Sequence, residues 1–261
     1  MEINLKNKTA WVFGGSRGIG RSIALELARA GANIVLIARN KIQLQKVKEE
    51  LSEEAGQKHD VLSIDVSRRD VLIKTLKSYA SLNPVDILIN NSGGPPPGQA
   101  HTAELEEYSD AFNQHVLAAQ SILKIALPEM KRNRFGRVIN IISTSVKQPI
   151  DGLGVSNTIR GAIANWGKTV ASELGGFGIT VNNVLPGATK TDRLLDLIQK
   201  NATKTGSETE SIVKKMQHSI PVGRFADPAE IAYLVVFLSS DYAAYVNGVN
   251  IPVDGGRTKS L

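Results

Sequence analysis

The fold of this chain is decided by a stretch near its start, TAWVFGGSRGIG, which occupies residues 9–20. Its first five residues are apolar and rich in β-formers, which predicts a buried strand. Gly14, Gly18 and Gly20 then lead into an amphipathic stretch that ends at Ala30 and predicts a helix. Glycine lets a backbone approach a pyrophosphate closely, and a helix N-terminus offers free N–H groups and the positive end of a dipole. A strand, a glycine-rich turn and a helix in this order predict a dinucleotide-binding loop, although a tight turn without a ligand could use the same glycines.

The rest of the chain repeats this alternation of apolar strands and amphipathic helices. Further strands are predicted at Asn33–Ala38, Val61–Ile64, Val85–Ile89, Arg137–Ile142, Ile179–Leu185 and Val249–Val253. Further helices are predicted at Ile42–Glu54, Val71–Ser81, Tyr108–Lys131, Val155–Leu174 and Pro228–Leu238. Near-continuous apolar strands joined by helices indicate a parallel sheet that is covered on both faces. The predicted fold class is α/β: one Rossmann domain over residues 1–261, with a doubly wound, seven-stranded parallel sheet.

The composition excludes several classes of site. The chain has 261 residues and no cysteine, so disulfides, thiol nucleophiles and thiolate metal ligands are excluded. Its four histidines are scattered and have no clustered carboxylates beside them, so we expect no metal site. No apolar run reaches the roughly 18 residues of a membrane helix, and the charged start does not resemble a signal peptide. We therefore expect a cytoplasmic protein with no membrane partner.

The charge balance is basic, with a formal net charge of +6 from 31 basic and 25 acidic residues. Such a balance can indicate nucleic-acid binding. The densest basic stretch, Lys131 to Arg134, is however interrupted at once by Phe135 and Gly136. Other lysines alternate with glutamates, as on a solvated helix face. We therefore expect no nucleic-acid partner and favour an anionic small-molecule ligand.

The end of the second strand predicts which dinucleotide is bound. An acidic side chain there would accept a hydrogen bond from the ribose 2′-hydroxyl of NAD and repel a 2′-phosphate. This strand instead ends with Ala38, Arg39 and Asn40, and Asp65 comes too late to be the missing acid. Arg39 and Arg17 would bind a 2′-phosphate through charge-assisted hydrogen bonds. We therefore predict NADP(H) rather than NAD(H), unless both arginines are simply solvated.

Further motifs accompany the glycine loop along the whole chain. They are Gly14…Gly18-Ile19-Gly20, Asp65-Val66, Asn90-Asn91-Ser92-Gly93, Gly136 to Ser143, Pro186-Gly187…Thr191 and Val253-Asp254-Gly255-Gly256. With them the chain resembles the short-chain dehydrogenase/reductase family over its full length. The resemblance implies the strand order 3-2-1-4-5-6-7, a nicotinamide cofactor and often a homotetramer. Phe13 in place of the usual Thr, and Ser92 in place of the usual Ala, are modest departures.

The resemblance also implies where the cofactor would lie. Asp65 and Val66 would be beside the adenine, Asn91 to Gly93 along the ribose, and residues 186–191 beside the nicotinamide. The predicted cofactor-binding residues are Gly14, Ser16, Arg17, Gly18, Ile19, Gly20, Arg39, Asn40, Asp65, Val66, Asn91, Ser92, Gly93, Arg160, Pro186, Gly187, Thr189 and Thr191.

The predicted catalytic residues depart from the family pattern. The family uses a Ser, a Tyr and a Lys in Tyr-x-x-x-Lys, and an Asn on the long helix. Here Ser143 matches the Ser. Ser156 stands where the Tyr is expected, Arg160 where the Lys is expected and His115 where the Asn is expected. The predicted catalytic set is therefore His115, Ser143, Ser156 and Arg160.

These replacements change the acid–base chemistry. A serine hydroxyl is a much weaker acid than a tyrosine phenol, whose pKa is near 10. Arginine stays protonated at all relevant pH, so Arg160 can anchor a ribose or polarise an oxygen but cannot shuttle protons. His115 has the only unperturbed pKa in the set that suits proton transfer near neutrality. It would supply a proton directly or through water, unless it only packs within its helix.

Two stretches narrow the resemblance further. Val155-Ser156-Asn157-x-x-Arg160 and the loop from Asn91 to Gly98 are similar to a divergent subgroup near the 3-oxoacyl-[acyl-carrier-protein] reductases. The resemblance implies an NADP(H)-dependent oxidoreductase that acts on a carbonyl/alcohol pair of a small molecule with non-standard acid catalysis. The alternative is a dinucleotide-binding protein without dehydrogenase activity, such as a sensor or an inactive subunit.

Two further expectations concern the substrate and assembly. The polar segment at about residues 189–221 has predicted helical pieces near 194–199 and 212–216, and the family places a substrate lid there; a flexible surface insertion is the alternative. The family commonly pairs subunits through its long helix and the helix after Ser143, so we expect a homo-oligomer, either a dimer or a tetramer. Small residues would permit close packing, between subunits or within one, at Gly161, Ala162, Ala164 and Gly167.

Overall fold

The computed structural model describes residues 2–260, apart from the side chain of Lys204, and contains one seven-stranded parallel sheet. The strands are β1 Thr9–Phe13, β2 Asn33–Ala38, β3 Asp60–Ser63, β4 Ile87–Asn90, β5 Gly136–Ile141, β6 Ile179–Pro186 and β7 Asn250–Val253. Their order is β3-β2-β1-β4-β5-β6-β7, which confirms the predicted doubly wound Rossmann topology. This order puts the carboxyl ends of β1 and β4 side by side, where a doubly wound sheet binds its ligand.

Helices cover both faces of the sheet. They are α1 Gly18–Arg29, α2 Lys41–Lys48, α3 Arg69–Ala80, α4 Leu105–Phe112, α5 Ala118–Arg132, α6 Gly154–Leu174, α7 Asp192–Thr205, α8 Thr209–His218 and α9 Pro228–Ser239. Apolar side chains of α1, α2 and α9 form the core on one face, and those of α3, α5 and α6 form it on the other. Two covered faces explain why the strands read as continuous apolar runs. Within residues 2–260, no helix combines the length and apolar character needed to cross a membrane.

Two predicted helices differ from those observed. The single helix expected at residues 108–131 is α4 and α5 joined by a π-helical turn at Asn113–Leu117. Such turns insert one extra residue and often mark functional positions; this one carries His115 inward. The second helix ends at Lys48 rather than at Glu54, because four glutamates between residues 49 and 54 oppose the negative end of the helix dipole.

A row of four asparagines links the strands that lead to the cleft. The side chain of Asn90 donates to Asn140 at 2.9 Å, Asn140 donates to Asn183 at 2.8 Å, and Asn183 donates to Asn250 at 2.8 Å. A Cβ at Gly167 would lie 2.9 Å from Asn183 Oδ1, so a glycine there lets α6 pack onto the row. Buried polar groups that satisfy one another in this way fix the register of β4 to β7.

Candidate functional site

The predicted cofactor residues meet in one cleft at the carboxyl ends of the strands. The cleft has a volume of about 890 Å³, which falls within the usual range of roughly 300–1,000 Å³ for small-molecule sites. It is lined by every predicted cofactor-binding residue except Gly20, and by the predicted catalytic residues Ser143, Ser156 and Arg160. The fourth, His115, lies behind Ser92 in a smaller inner cavity.

The glycine loop is shaped by close backbone contacts. Gly14 has a φ of +64°, and a Cβ there would lie 2.6 Å from the carbonyl oxygen of Asn91. A Cβ at Gly20 would lie 2.2 Å from the carbonyl oxygen of Gly14, so Gly20 packs the loop onto α1 instead of lining the cleft. Arg17 precedes α1 without capping it through its side chain, and the first turn has no acidic residue. The free backbone N–H groups at the start of α1 therefore suit an anionic ligand.

Two arginines stand at the cleft edge beside β2. Among the described residues, neither Arg17 nor Arg39 lies within ion-pair distance of a carboxylate. The Asn40 side chain caps α2, and is therefore occupied. Partial burial alone would raise the pKa of Asp65, but hydrogen bonds from Ser67 and the nearby charge of Arg39 outweigh it and lower that pKa. Since no acid follows β2 directly, this end of the cleft suits a phosphate better than a neutral hydroxyl.

The two predicted catalytic serines reach the cleft from different elements. Ser143 follows β5, and its Oγ accepts a hydrogen bond of 3.1 Å from the Ser145 amide. Ser156 lies in the first turn of α6 and is one turn before Arg160, so these two side chains share a helix face. Ser156 and Arg160 are each more than nine-tenths buried and still line the cleft. No tyrosine lies among the described residues that line it.

Ser92 connects three of the departures from the family pattern. Its Oγ lies 2.8 Å from His115 Nδ1, and its carbonyl oxygen accepts a hydrogen bond of 3.4 Å from Arg160 Nη2. The other Arg160 nitrogen, Nη1, donates to the carbonyl oxygen of Ile141 at 3.4 Å. The serine and the histidine that replace the usual residues are therefore direct partners.

His115 is held as a neutral imidazole. Burial, followed by the charges of Arg160 and Arg193, lowers its pKa to about 3. Its Nε2 and the Oδ1 of Asn90 have no hydrogen-bond partner among the described residues, and both residues line an inner cavity of about 30 Å³. Such a cavity holds one or two water molecules. A neutral imidazole can relay a proton only by taking one up on one ring nitrogen as it gives one from the other, so its position suits a relay with Ser92 and not direct transfer from an imidazolium.

Segment 189–221 also borders the cleft, but it contains more structure than the sequence predicted. Its helices α7 and α8 are both longer than the two predicted pieces. They pack together through a small apolar cluster that includes Ile198, Ile212 and Phe225. Arg193, in the first turn of α7, lines the cleft as well. Sequence analysis missed Arg193, because a single arginine within a polar segment gives no signal that it faces a site.

The chain was compared with protein-family models and with known proteins. Residues 14–258 match the family model described as Enoyl-(Acyl carrier protein) reductase. The NADPH-dependent reductase BacG of Bacillus subtilis is 31% identical over 259 residues, which cover 98% of this chain and 100% of that protein. The 3-oxoacyl-[acyl-carrier-protein] reductase FabG of Staphylococcus epidermidis is 32% identical over 254 residues, covering 96% and 98%. The crystal structure of L-sorbose reductase from Gluconobacter frateurii, complexed with NADPH and L-sorbose, superposes with a TM-score of 0.93 at 29% identity, covering all of both chains. This chain therefore belongs to the short-chain dehydrogenase/reductase family of oxidoreductases.

Proposed function

We propose that this oxidoreductase uses NADP(H) to interconvert a small carbonyl compound and its alcohol, in the manner of 3-oxoacyl reductases but with non-standard acid catalysis. The observation that carries the proposal is the cleft itself. It combines an uncapped helix N-terminus with two unpaired arginines and has no acid directly after β2. The relatives named as NADPH-dependent reductases support the same cofactor.

The cleft residues fit the dinucleotide. The first amides of α1 would bind its pyrophosphate, and Arg17 and Arg39 would bind the 2′-phosphate. When bound, the nicotinamide supplies or accepts the hydride. Gly14 and Gly20 leave room for the Asn91 side chain, which donates to the carbonyl oxygen of Gly14 and joins the loop to the end of β4.

The chain's own residues would stabilise charge on the substrate oxygen. Ser143 and Ser156 carry hydroxyl donors, and Arg160 adds a fixed positive charge beside them. Preorganised donors of this kind favour an oxyanion, because they need no reorganisation as charge develops. Arg160 keeps its proton during this process, so the proton that completes an alcohol comes from elsewhere.

His115 would position that proton. Its Nδ1 bonds to Ser92, and its Nε2 is buried without a hydrogen-bond partner among the described residues. A water molecule that reached Nε2 would exchange a proton with Ser92 through the imidazole, which takes up a proton on one ring nitrogen as it gives one from the other. Segment 189–221 would cover the substrate and exclude bulk water from the cleft.

A binding protein without dehydrogenase activity is the second candidate. It is favoured by one observation: burial lowers the pKa of His115, the one predicted catalytic residue suited to proton transfer near neutrality, to about 3. Such a protein would bind NADPH and oxidise none of it.

Two measurements on the same protein sample distinguish the oxidoreductase from the binding protein. NADPH and NADH are titrated by fluorescence, and the same protein is then assayed for NADPH oxidation over a panel of aldehydes, ketones and oxo acids. We expect NADPH to bind at least about tenfold more tightly than NADH, and Arg39→Ala to remove the difference. Lys46→Ala, on the exposed face of α2, is the charge-matched control. Binding of NADPH without its oxidation by any panel member would favour the second candidate, and equal binding of both dinucleotides would contradict the cofactor assignment.

We also propose a homo-oligomer that uses α6. Among its small residues, Ala164 and Gly167 are buried within the subunit, whereas a Cβ at Gly161 would meet open space. A second subunit could therefore approach α6 closely near Gly161. Sedimentation velocity on the purified protein would show a dimer or tetramer; a monomer at all concentrations would contradict this.

A further inference from the structure

Two guanidinium groups, those of Arg193 and Arg160, approach Gly94 in the loop after β4, and both arginines line the cleft. A Cβ built on Gly94 would lie 3.0 Å from Arg193 Nη2 and 3.2 Å from Arg160 Nη2. The two nitrogens are thus no farther apart than the sum of these distances. Among residues 2–260, no carboxylate lies within ion-pair distance of either arginine.

The positive charges of Arg160 and Arg193 are not balanced by an anion among the described residues. Burial, followed by the nearby charge of Arg193, lowers the pKa of Arg160 to about 10. Partial burial and the charge of Arg17 lower the pKa of Arg193, which stands more exposed at the cleft mouth. At neutral pH both groups remain cations, and each destabilises the other. A buried cation without a counter-charge is destabilising unless an anion joins it.

We propose that Arg193 and Arg160 bind a carboxylate of the substrate, so that the substrates are oxo acids. This inference rests on the proposed function, in which Arg160 also polarises the carbonyl oxygen. Because the two guanidinium groups are close neighbours, an anion held by Arg193 must be close to an oxygen held by Arg160. The geometry therefore points to a carboxylate one or two carbons from the carbonyl, as in a 2-oxo or 3-oxo acid.

The position of Arg193 gives this contact a second consequence. Arg193 belongs to the first turn of α7, whereas Arg160 belongs to α6 and Gly94 to the loop after β4. A carboxylate between them would join segment 189–221 to the body of the cleft. Anionic substrates would thus hold segment 189–221 over the cleft, and neutral substrates would lack that contact.

The cofactor's own phosphates are the other source of an anion, and the test separates the two. The probes are 2-oxobutanoate and its neutral methyl ester, each titrated into the protein–NADPH complex with NADPH fluorescence or calorimetry as the readout. The variants are Arg193→Met, Arg193→Lys and the control Lys200→Met, which removes an equal charge from an exposed position on α7 outside the cleft. NADPH affinity is measured for every variant.

We expect the acid to bind at least about tenfold more tightly than the ester, since a charge-assisted pair contributes more than 1.4 kcal/mol. Arg193→Met should bring the ratio near one, Arg193→Lys should retain part of it, and Lys200→Met should leave it unchanged. NADPH affinity should change less than the acid-to-ester ratio in Arg193→Met, because Arg193 lies near Arg17 without taking its place on the 2′-phosphate.

Two results would overturn the inference. One is an acid-to-ester ratio near one in the unaltered protein, or no measurable acid binding in the millimolar range. The other is an Arg193→Met variant that loses NADPH affinity while its acid-to-ester ratio stays the same, because the anion would then belong to the cofactor. Selective acid binding without turnover would contradict the proposed function and leave this inference intact. Turnover of neutral ketones without a preference for acids would support the proposed function and contradict this inference.

Discussion

Two arginines, Arg137 near the start of β5 and Arg160 in α6, are both buried, but the groups around them differ. Arg137 is 3% exposed and donates to the carbonyl oxygens of Ser240, Gly136 and Gly178, with Asp241 3.4 Å from its Nη2. Arg160 is 7% exposed and makes two carbonyl contacts among the described residues, both of 3.4 Å, with another arginine close by.

The difference separates a structural cation from a functional one. Burial lowers the pKa of both groups, but the charge of Asp241 partly restores that of Arg137, whereas Arg193 lowers that of Arg160 further. A protein that buries a charge for stability satisfies it within the chain. A charge left incomplete beside a cleft indicates that a ligand completes it.

The largest expected effect on stability comes from Arg137. Arg137→Met should lower the free energy of unfolding by about 3 kcal/mol, because it leaves buried carbonyl oxygens without donors. Arg160→Met should change it by no more than about 1 kcal/mol in either direction, because its loss of two long hydrogen bonds is offset by relief of a buried charge. Urea unfolding of the two variants measures the contrast. Equal destabilisation by both would mean that Arg160 is structural.

The next largest expected effect concerns His115 and the pH dependence of the free energy of unfolding. The unfolded chain takes up a proton on this histidine near its ordinary pKa of about 6.5, whereas the folded chain resists it until about pH 3. The unfolded state therefore binds more protons between these values, and stability falls as pH decreases. The loss due to His115 should be about 2 kcal/mol between pH 7 and pH 5. His115→Asn should be correspondingly less sensitive, as urea unfolding at several pH values would show. Identical pH dependence in both proteins would mean that the imidazole is not held neutral.

The smallest expected effect concerns the bond between Ser92 and His115. Ser92→Ala restores the residue usual in the family but leaves His115 Nδ1 without its partner, which should cost about 1 kcal/mol. In a cycle with His115→Asn the two changes should not add, because each removes the same contact. Additive losses would show that the hydrogen bond contributes nothing.

Local sequence patterns and the family resemblance were enough to predict the fold and strand order, which the structure confirms. The predicted cofactor-binding residues other than Gly20 line one cleft, and their role stays a prediction. The π-helical turn at Asn113–Leu117 brings His115 within 2.8 Å of Ser92 in the loop after β4, and no periodicity in the sequence reveals this contact. Arg193 reaches Arg160 only through the packing of α7, and the asparagine row requires strand register.

The role of Arg160 is tested most directly by NADPH oxidation with 2-oxo and 3-oxo acids, measured for the unaltered protein and for Arg160→Met, with folding of the variant verified by its urea midpoint. We expect measurable turnover of at least one oxo acid, and a loss of about 10²–10³-fold in kcat when Arg160 is replaced, as for removal of an oxyanion donor. NADPH oxidation that proceeds equally well without the guanidinium would contradict the assignment of Arg160 as the cation that stabilises the substrate oxygen.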